Sequence, residues 1–171
     1  MKQAVLNQTL RHLAEQYAVA ARQVLGDRLT SIVLFGSVAR GQAASGSDID
    51  LLVVCRDLPT GAFRRQEVLE PVRERLLADL DRLWAQGIYA DFSEVIKSET
   101  EAQHTHPVYL DMTEDAEILF DRDGFFADVL PPPAGRNATT DEQMTNEQIA
   151  NRRSDHRLRI TDYASLFTHD D

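Results

Sequence analysis

Two apolar runs, Ser31-Ile32-Val33-Leu34-Phe35 and Ile49-Asp50-Leu51-Leu52-Val53-Val54-Cys55, flank the stretch that most constrains this chain, which from Phe35 to Val53 reads FGSVARGQAASGSDIDLLV. Both runs have strand length, and the second lacks the alternation of a half-exposed strand, so it reads as a strand buried on both faces. Between and at the edge of the runs stand three glycines, one arginine and two aspartates one residue apart. A hairpin needs one or two glycines and a buried strand avoids paired carboxylates, so neither a turn nor a core accounts for the set.

Phosphate chemistry does account for it. Gly36 lets the backbone turn sharply at the end of the first strand with no Cβ in the way. The loop amides, the Ser37 hydroxyl and the Arg40 guanidinium are all donors, which suits a polyphosphate that offers only acceptors. Asp48 and Asp50 stand at i and i+2, so on a strand both carboxylates project from one face. Their repulsion is resolved by a divalent cation, and Mg²⁺ is commonly held by carboxylates together with substrate phosphates. Donors for phosphate beside a carboxylate pair imply metal-assisted attack on phosphorus.

The surrounding pattern predicts an α/β domain over residues 1–130. Val5, Leu6, Leu10, Leu13, Tyr17, Val24 and Leu25 recur at helical spacing, with Gly26 as the residue that ends the helix. A second helical region spans about 62–86, with Val68, Leu69, Val72, Leu76, Leu77, Leu80, Leu83 and Trp84 as its core-facing stripe; Pro71 allows either two helices or a kink. A third strand is expected over 88–96, and a helix from a Ser98–Glu101 capping box to about Met112. A fourth strand over 116–120 ends at Asp121-Arg122-Asp123-Gly124, and a brief helix follows over 125–130. Pro131-Pro132-Pro133 marks a boundary, and residues 131–171 read as a polar tail, partly helical or disordered.

Composition narrows the partners. The net charge of −10 disfavours binding to a long nucleic acid, whose backbone asks for clustered Lys and Arg, and leaves a nucleotide or a protein. A hydrophobic content of 43% suffices for a packed core, and the one cysteine, Cys55, excludes an internal disulfide and reads as core. No run has the length of a signal-peptide core or a membrane span, so a cytoplasmic location is the expectation. His104 and His106 lack further ligands at matching spacing.

Gly36-Ser37, ten residues, then Asp48-Ile49-Asp50 resembles the signature of the DNA polymerase β-type nucleotidyltransferase superfamily, and GSVARGQAASGSDIDLLV resembles its minimal nucleotidyltransferase branch. HPVYLDMTEDAEILFDRDGF is similar to the closing strand region of such domains. The resemblance implies a small mixed sheet with helices mainly on one face. It implies Gly36 and Ser37 on the β- and γ-phosphates, Arg40 steadying loop or phosphates, and Asp48 and Asp50 holding two Mg²⁺ ions. The implied reaction moves a nucleoside monophosphate, most plausibly AMP from ATP, to a hydroxyl of a protein or small-molecule acceptor. The branch includes antitoxins, so a HEPN-type toxin is an implied partner, and a homodimer is a compatible assembly. The alternative is a catalytically weak nucleotide-binding or antitoxin module that occludes its partner.

The family also uses a third acid on a neighbouring strand, and Asp91 and Glu94 both offer one. Three residues apart, they face opposite sides of a regular strand. Ile88, Ala90, Phe92 and Ile96 form the face that meets helices, which puts Asp91 and Ser93 on the open face with Asp48 and Asp50. Asp91 is therefore favoured as the third metal ligand, and Glu94 would need a bulge or an edge position.

Overall fold

The computed structural model describes residues 2–104, 109, 112 and 115–129. The proline boundary, the tail over 131–171 and His106 lie outside them. Helix α1 runs Gln3–Leu25, and its buried residues Leu6, Leu10, Leu13, Ala14, Tyr17, Ala18, Ala21 and Leu25 trace one stripe. Gly26 ends it at φ 54°, a conformation that costs glycine little. A 3-10 turn, Gly26–Arg28, leads into β1, Leu29–Phe35. A one-turn helix α2, Gly36–Ala39, and a loop connect β1 to β2, Ile49–Cys55.

The helical region beyond β2 resolves into two helices, α3 (Ala62–Glu74) and α4 (Leu77–Ala85). Pro71 lies inside α3, and the break follows at Arg75–Leu76. Pro71 and Glu67, whose carbonyl the proline leaves without a helical donor, are both exposed residues, so the loss falls on the solvent side of the helix. Leu69, Val72, Leu76, Leu80 and Leu83 are buried as the stripe requires. Leu77 and Trp84 depart from it, at 52% and 45% exposed. Trp84 donates its indole N–H to the Ala90 carbonyl at 2.9 Å, so the ring lies along the chain leaving α4 instead of entering the core.

Strand β3 is Phe92–Ser98, four residues later than its apolar pattern begins. The donors before it are committed elsewhere: Ile88 N–H to the Leu83 carbonyl and Tyr89 N–H to the Ser45 carbonyl. Helix α5 is the single turn Glu99–Ala102, and its capping box between Ser98 and Glu101 forms in full. It stops well short of Met112, and the Ala102 carbonyl at its end accepts the Tyr109 hydroxyl at 2.8 Å. Strand β4 is Glu117–Asp121 and helix α6 is Phe125–Val129.

The four strands form one sheet in the order β3-β2-β1-β4. β1 is antiparallel to β2 and β4, while β2 and β3 are parallel, so the sheet is mixed. Strand parity sorts the core into two layers. Ile32, Leu34, Ile49, Leu51, Val53 and Phe92 pack with α1, α3 and α4 in the larger one. Val33, Phe35, Leu52 and Val54 face the other way, toward Ala102, Tyr109, Met112 and Phe126. The second face is therefore covered by a smaller apolar cluster over part of its area and is not simply open. Among the described residues no helix is long and apolar enough to cross a membrane.

Candidate active site

At the end of the sheet where β1 stops and β2 and β3 begin, the apolar layer of Val33, Phe35, Leu52 and Val54 gives out and polar side chains take its place. Asp50 shares the parity of Leu52 and Val54, so its carboxylate projects from the less covered face at the edge of that layer. Register pairs Asp50 with Phe35 on one side and Ser93 on the other. The carboxylate lies against the backbone of Gly36: a Cβ built there would stand 2.1 Å from Asp50 Oδ2. Gly36 also adopts φ +73°, so the position demands glycine for backbone conformation and for close approach.

The loop is stapled from two sides. Asn7 on α1 donates from Nδ2 to the Val38 carbonyl at 3.1 Å and accepts the Ala43 N–H at 3.2 Å. Tyr89 N–H reaches the Ser45 carbonyl at 2.8 Å. Within the loop, Ser47 Oγ accepts the Ala44 N–H at 2.8 Å, and Gln42 N–H returns to the Ser37 carbonyl at 2.9 Å. Ser37 is half-buried, whereas Arg40 and Asp48 are exposed.

Burial pushes the Asp50 carboxyl above its ordinary value, and the neighbouring Asp48 charge adds to the rise. A hydrogen bond from Ser93 and the Arg40 charge act in the opposite direction and favour the carboxylate. Asp48, Asp50 and Arg40 thus share one electrostatic site. Asp91 comes to the same corner from the segment leading into β3: its carbonyl accepts the Ile49 N–H at 2.8 Å, one step ahead of the Ile49–Phe92 pair that opens the ladder. Its carboxylate accepts the Phe92 N–H at 2.8 Å and is exposed.

Glu94 stands elsewhere. It faces the helices, where Arg73 clasps it through Nε at 2.7 Å and Nη2 at 2.5 Å, and the Tyr17 hydroxyl donates to it at 3.1 Å. With 1% of its side chain exposed, Glu94 is a buried structural carboxylate, and no bulge turns it toward Asp50. Sequence parity put Ser93 on the face of Asp50 without showing that the two are register partners, and it had no signal for Asn7. Asn7 is one polar residue beside an apolar stripe, and Ser93 matters only through the register of two distant strands.

A fit to Mg²⁺ is carried by two oxygen-donor carboxylates of one charge site, one of them lodged in a recess that a side chain at position 36 would fill. That set suits an ion completed by substrate phosphates. Among the described residues no three His, Cys, Asp or Glu side chains converge closely enough to hold an ion. Asp91 adjoins the pair without joining it in a cluster.

Residues 20–106 match the family described as nucleotidyltransferase domain. A Methanocaldococcus jannaschii chain bearing the name protein adenylyltransferase is 31% identical over 121 residues, covering 71% of this chain and 78% of its own length. A second chain of that organism and name is 43% identical over 66 residues, covering 39% of this chain and 65% of its own. A solved toxin–antitoxin structure with AMP-PNP aligns at a TM-score of 0.44 and 15% identity, over 88% of this chain and 98% of its own. The matched segment contains the loop, Asp48, Asp50 and Asp91, and with the extent of the first relative's identity it places the chain in the nucleotidyltransferase domain family.

Proposed function

We propose that the protein transfers AMP from ATP to a hydroxyl of an acceptor protein, using two Mg²⁺ ions and the residues Gly36, Ser37, Arg40, Asp48, Asp50 and Asp91. The observation that carries this reading is the Asp50 carboxylate held against the Gly36 backbone, where the donor-bearing loop meets the carboxylate strand. Loop amides and the Ser37 hydroxyl bind the triphosphate oxygens, and Arg40 offsets their charge. Asp48 and Asp50 hold the ions with those oxygens, and Asp91 supplies a carboxylate on the side of the acceptor. Bound Mg²⁺ neutralises the triphosphate and eases loss of the acceptor's proton. The acceptor hydroxyl gives its proton to solvent, its oxygen bonds to the α-phosphorus as the bond to the α–β bridging oxygen breaks, and pyrophosphate leaves. A protein acceptor is supported by the name of the 31%-identical relative. A HEPN-type toxin as that acceptor, antitoxin action and a cytoplasmic location rest on the resemblance of GSVARGQAASGSDIDLLV to the minimal branch.

The test is transfer of label from ATP radiolabelled at the α-phosphate to candidate protein acceptors. Wild type should label its acceptor with Mg²⁺ or Mn²⁺, and Asp48→Asn or Asp50→Asn should reduce the rate by about a hundredfold or more. Asp91 lies beside the pair without closing a three-carboxylate cluster, which favours a second reading, a nucleotide-binding module that acts by occlusion. Wild type that binds ATP and labels no acceptor would establish that second reading and remove the first.

A further inference from the structure

We propose that Ser93 is a positioning residue for Asp50, its hydroxyl holding the carboxylate in the orientation that receives the divalent cation of the nucleotide complex. This rests on the placing of Asp50 in the metal site. The geometry begins with the ladder: β2 and β3 are parallel, and Ser93 is the register partner of Asp50. Both residues have the parity of the face away from α1 and α3, so their side chains stand side by side at its polar end. That places the hydroxyl where it can donate to the carboxylate, and its nearness favours the ionised form.

What gives that hydroxyl a defined place is the anchoring of its two neighbours on the opposite face. Phe92 packs against Tyr17 with ring centroids 4.8 Å apart. Glu94 is clasped by Arg73 and by the Tyr17 hydroxyl. Strand β3 therefore resists twisting about its axis at residue 93, although Ser93 itself is exposed. Asp50 is confined on its other side by the Gly36 backbone. An ionised carboxylate has two oxygens and about four lone-pair sites, so one donor from Ser93 leaves the rest for an ion and a second ligand. Residues that hydrogen-bond a ligating carboxylate commonly alter metal affinity by about 10–100-fold when removed.

The experiment measures Mn²⁺ affinity of the full chain saturated with a non-hydrolysable ATP analogue, from the electron paramagnetic resonance signal of free Mn²⁺. Ser93→Ala should weaken Mn²⁺ binding by about tenfold, at the lower edge of that range, and leave the melting temperature near wild type because no buried side chain is lost. Ser93→Thr keeps the hydroxyl on a strand-compatible side chain and should restore affinity; Ser93→Cys, similar in shape but a weak donor, should not. Wild-type Mn²⁺ affinity in Ser93→Ala, alongside its loss in Asp50→Asn, would overturn the role of Ser93 and leave the site intact. A loss in Ser93→Ala that Ser93→Thr fails to rescue would overturn it as well. Wild-type affinity in Asp50→Asn would remove the metal-site reading itself.

Discussion

At the scale of single residues, the site turns on what Gly36 leaves out. A methyl group there would meet the end of the Asp50 side chain before any backbone atom, since the nearest atoms are Oδ2 at 2.1 Å, Cγ at 3.0 Å and Cβ at 3.2 Å. A carboxylate can rotate away where a backbone cannot. Gly36→Ala should therefore fold, at a cost of about 1–2 kcal/mol for a left-handed alanine, while displacing the one carboxylate that the loop is built around. The expected outcome is a protein with near-native circular dichroism, a modestly lowered melting temperature and transfer reduced by about a hundredfold or more. Transfer at the wild-type rate in Gly36→Ala would show that the close approach has no part in the chemistry.

Among the elements, β3 and the residue that precedes it carry two unrelated carboxylates, Glu94 turned toward the helices and Asp91 exposed beside the start of β2. Glu94 is buried against Arg73, and removing one partner of a buried pair costs about 3–5 kcal/mol; Glu94→Ala should lower the urea midpoint accordingly. Asp91→Asn, on an exposed side chain, should leave that midpoint nearly unchanged and act on transfer instead, falling by about a hundredfold. The reverse pattern would exchange the two assignments. A similar split applies to α1: Asn7→Ala removes both bonds that tie the helix to Val38 and Ala43. It should cost about 1–2 kcal/mol and weaken ATP binding through the loop, measured by calorimetry. These examples mark what was readable in the chain. β1, β2 and the face taken by Asp50 follow from local pattern, and so does the Ser98–Glu101 capping box. The start of β3 does not, because Ile88 and Tyr89 have strand-like neighbours but spend their N–H groups on Leu83 and Ser45, contacts set by the tertiary fold. The end of α5 at Ala102 was not legible either, and its last carbonyl meets a hydroxyl, Tyr109, that local pattern does not bring there.

Across the whole molecule, Glu101 and Asp50 stand at opposite ends of the sheet with shifts of opposite sign, and pH should report the difference. The end opposite Asp50 holds Glu101, which caps α5 and takes two bonds from Arg65 at 2.7 and 3.0 Å, and Glu99, which joins Arg56 and Thr30. Hydrogen bonding to Arg65, then to the Ser98 N–H, holds the Glu101 carboxyl down at about 2 against an ordinary 4.5, and Arg56 likewise lowers Glu99. A depressed folded-state value means that Glu101 stabilises the fold above about pH 4.5 and that this contribution is lost as pH falls toward 2. Asp50 has the opposite sign. Its folded-state value is raised from 3.8, so its charge costs stability, a cost absent below that value and present once pH has risen through the folded-state value. Urea midpoints measured from pH 2 to 7 should show Glu101→Gln less stable than wild type at neutral pH, with the gap closing toward pH 2. Asp50→Asn should be more stable than wild type at neutral pH, and that gap should close toward pH 3. Glu101 would then stabilise the molecule at one end of the sheet and Asp50 strain it at the other, the strain being what a bound cation relieves. Equal, pH-independent midpoints for wild type and Asp50→Asn would show that no such strain is stored at the site.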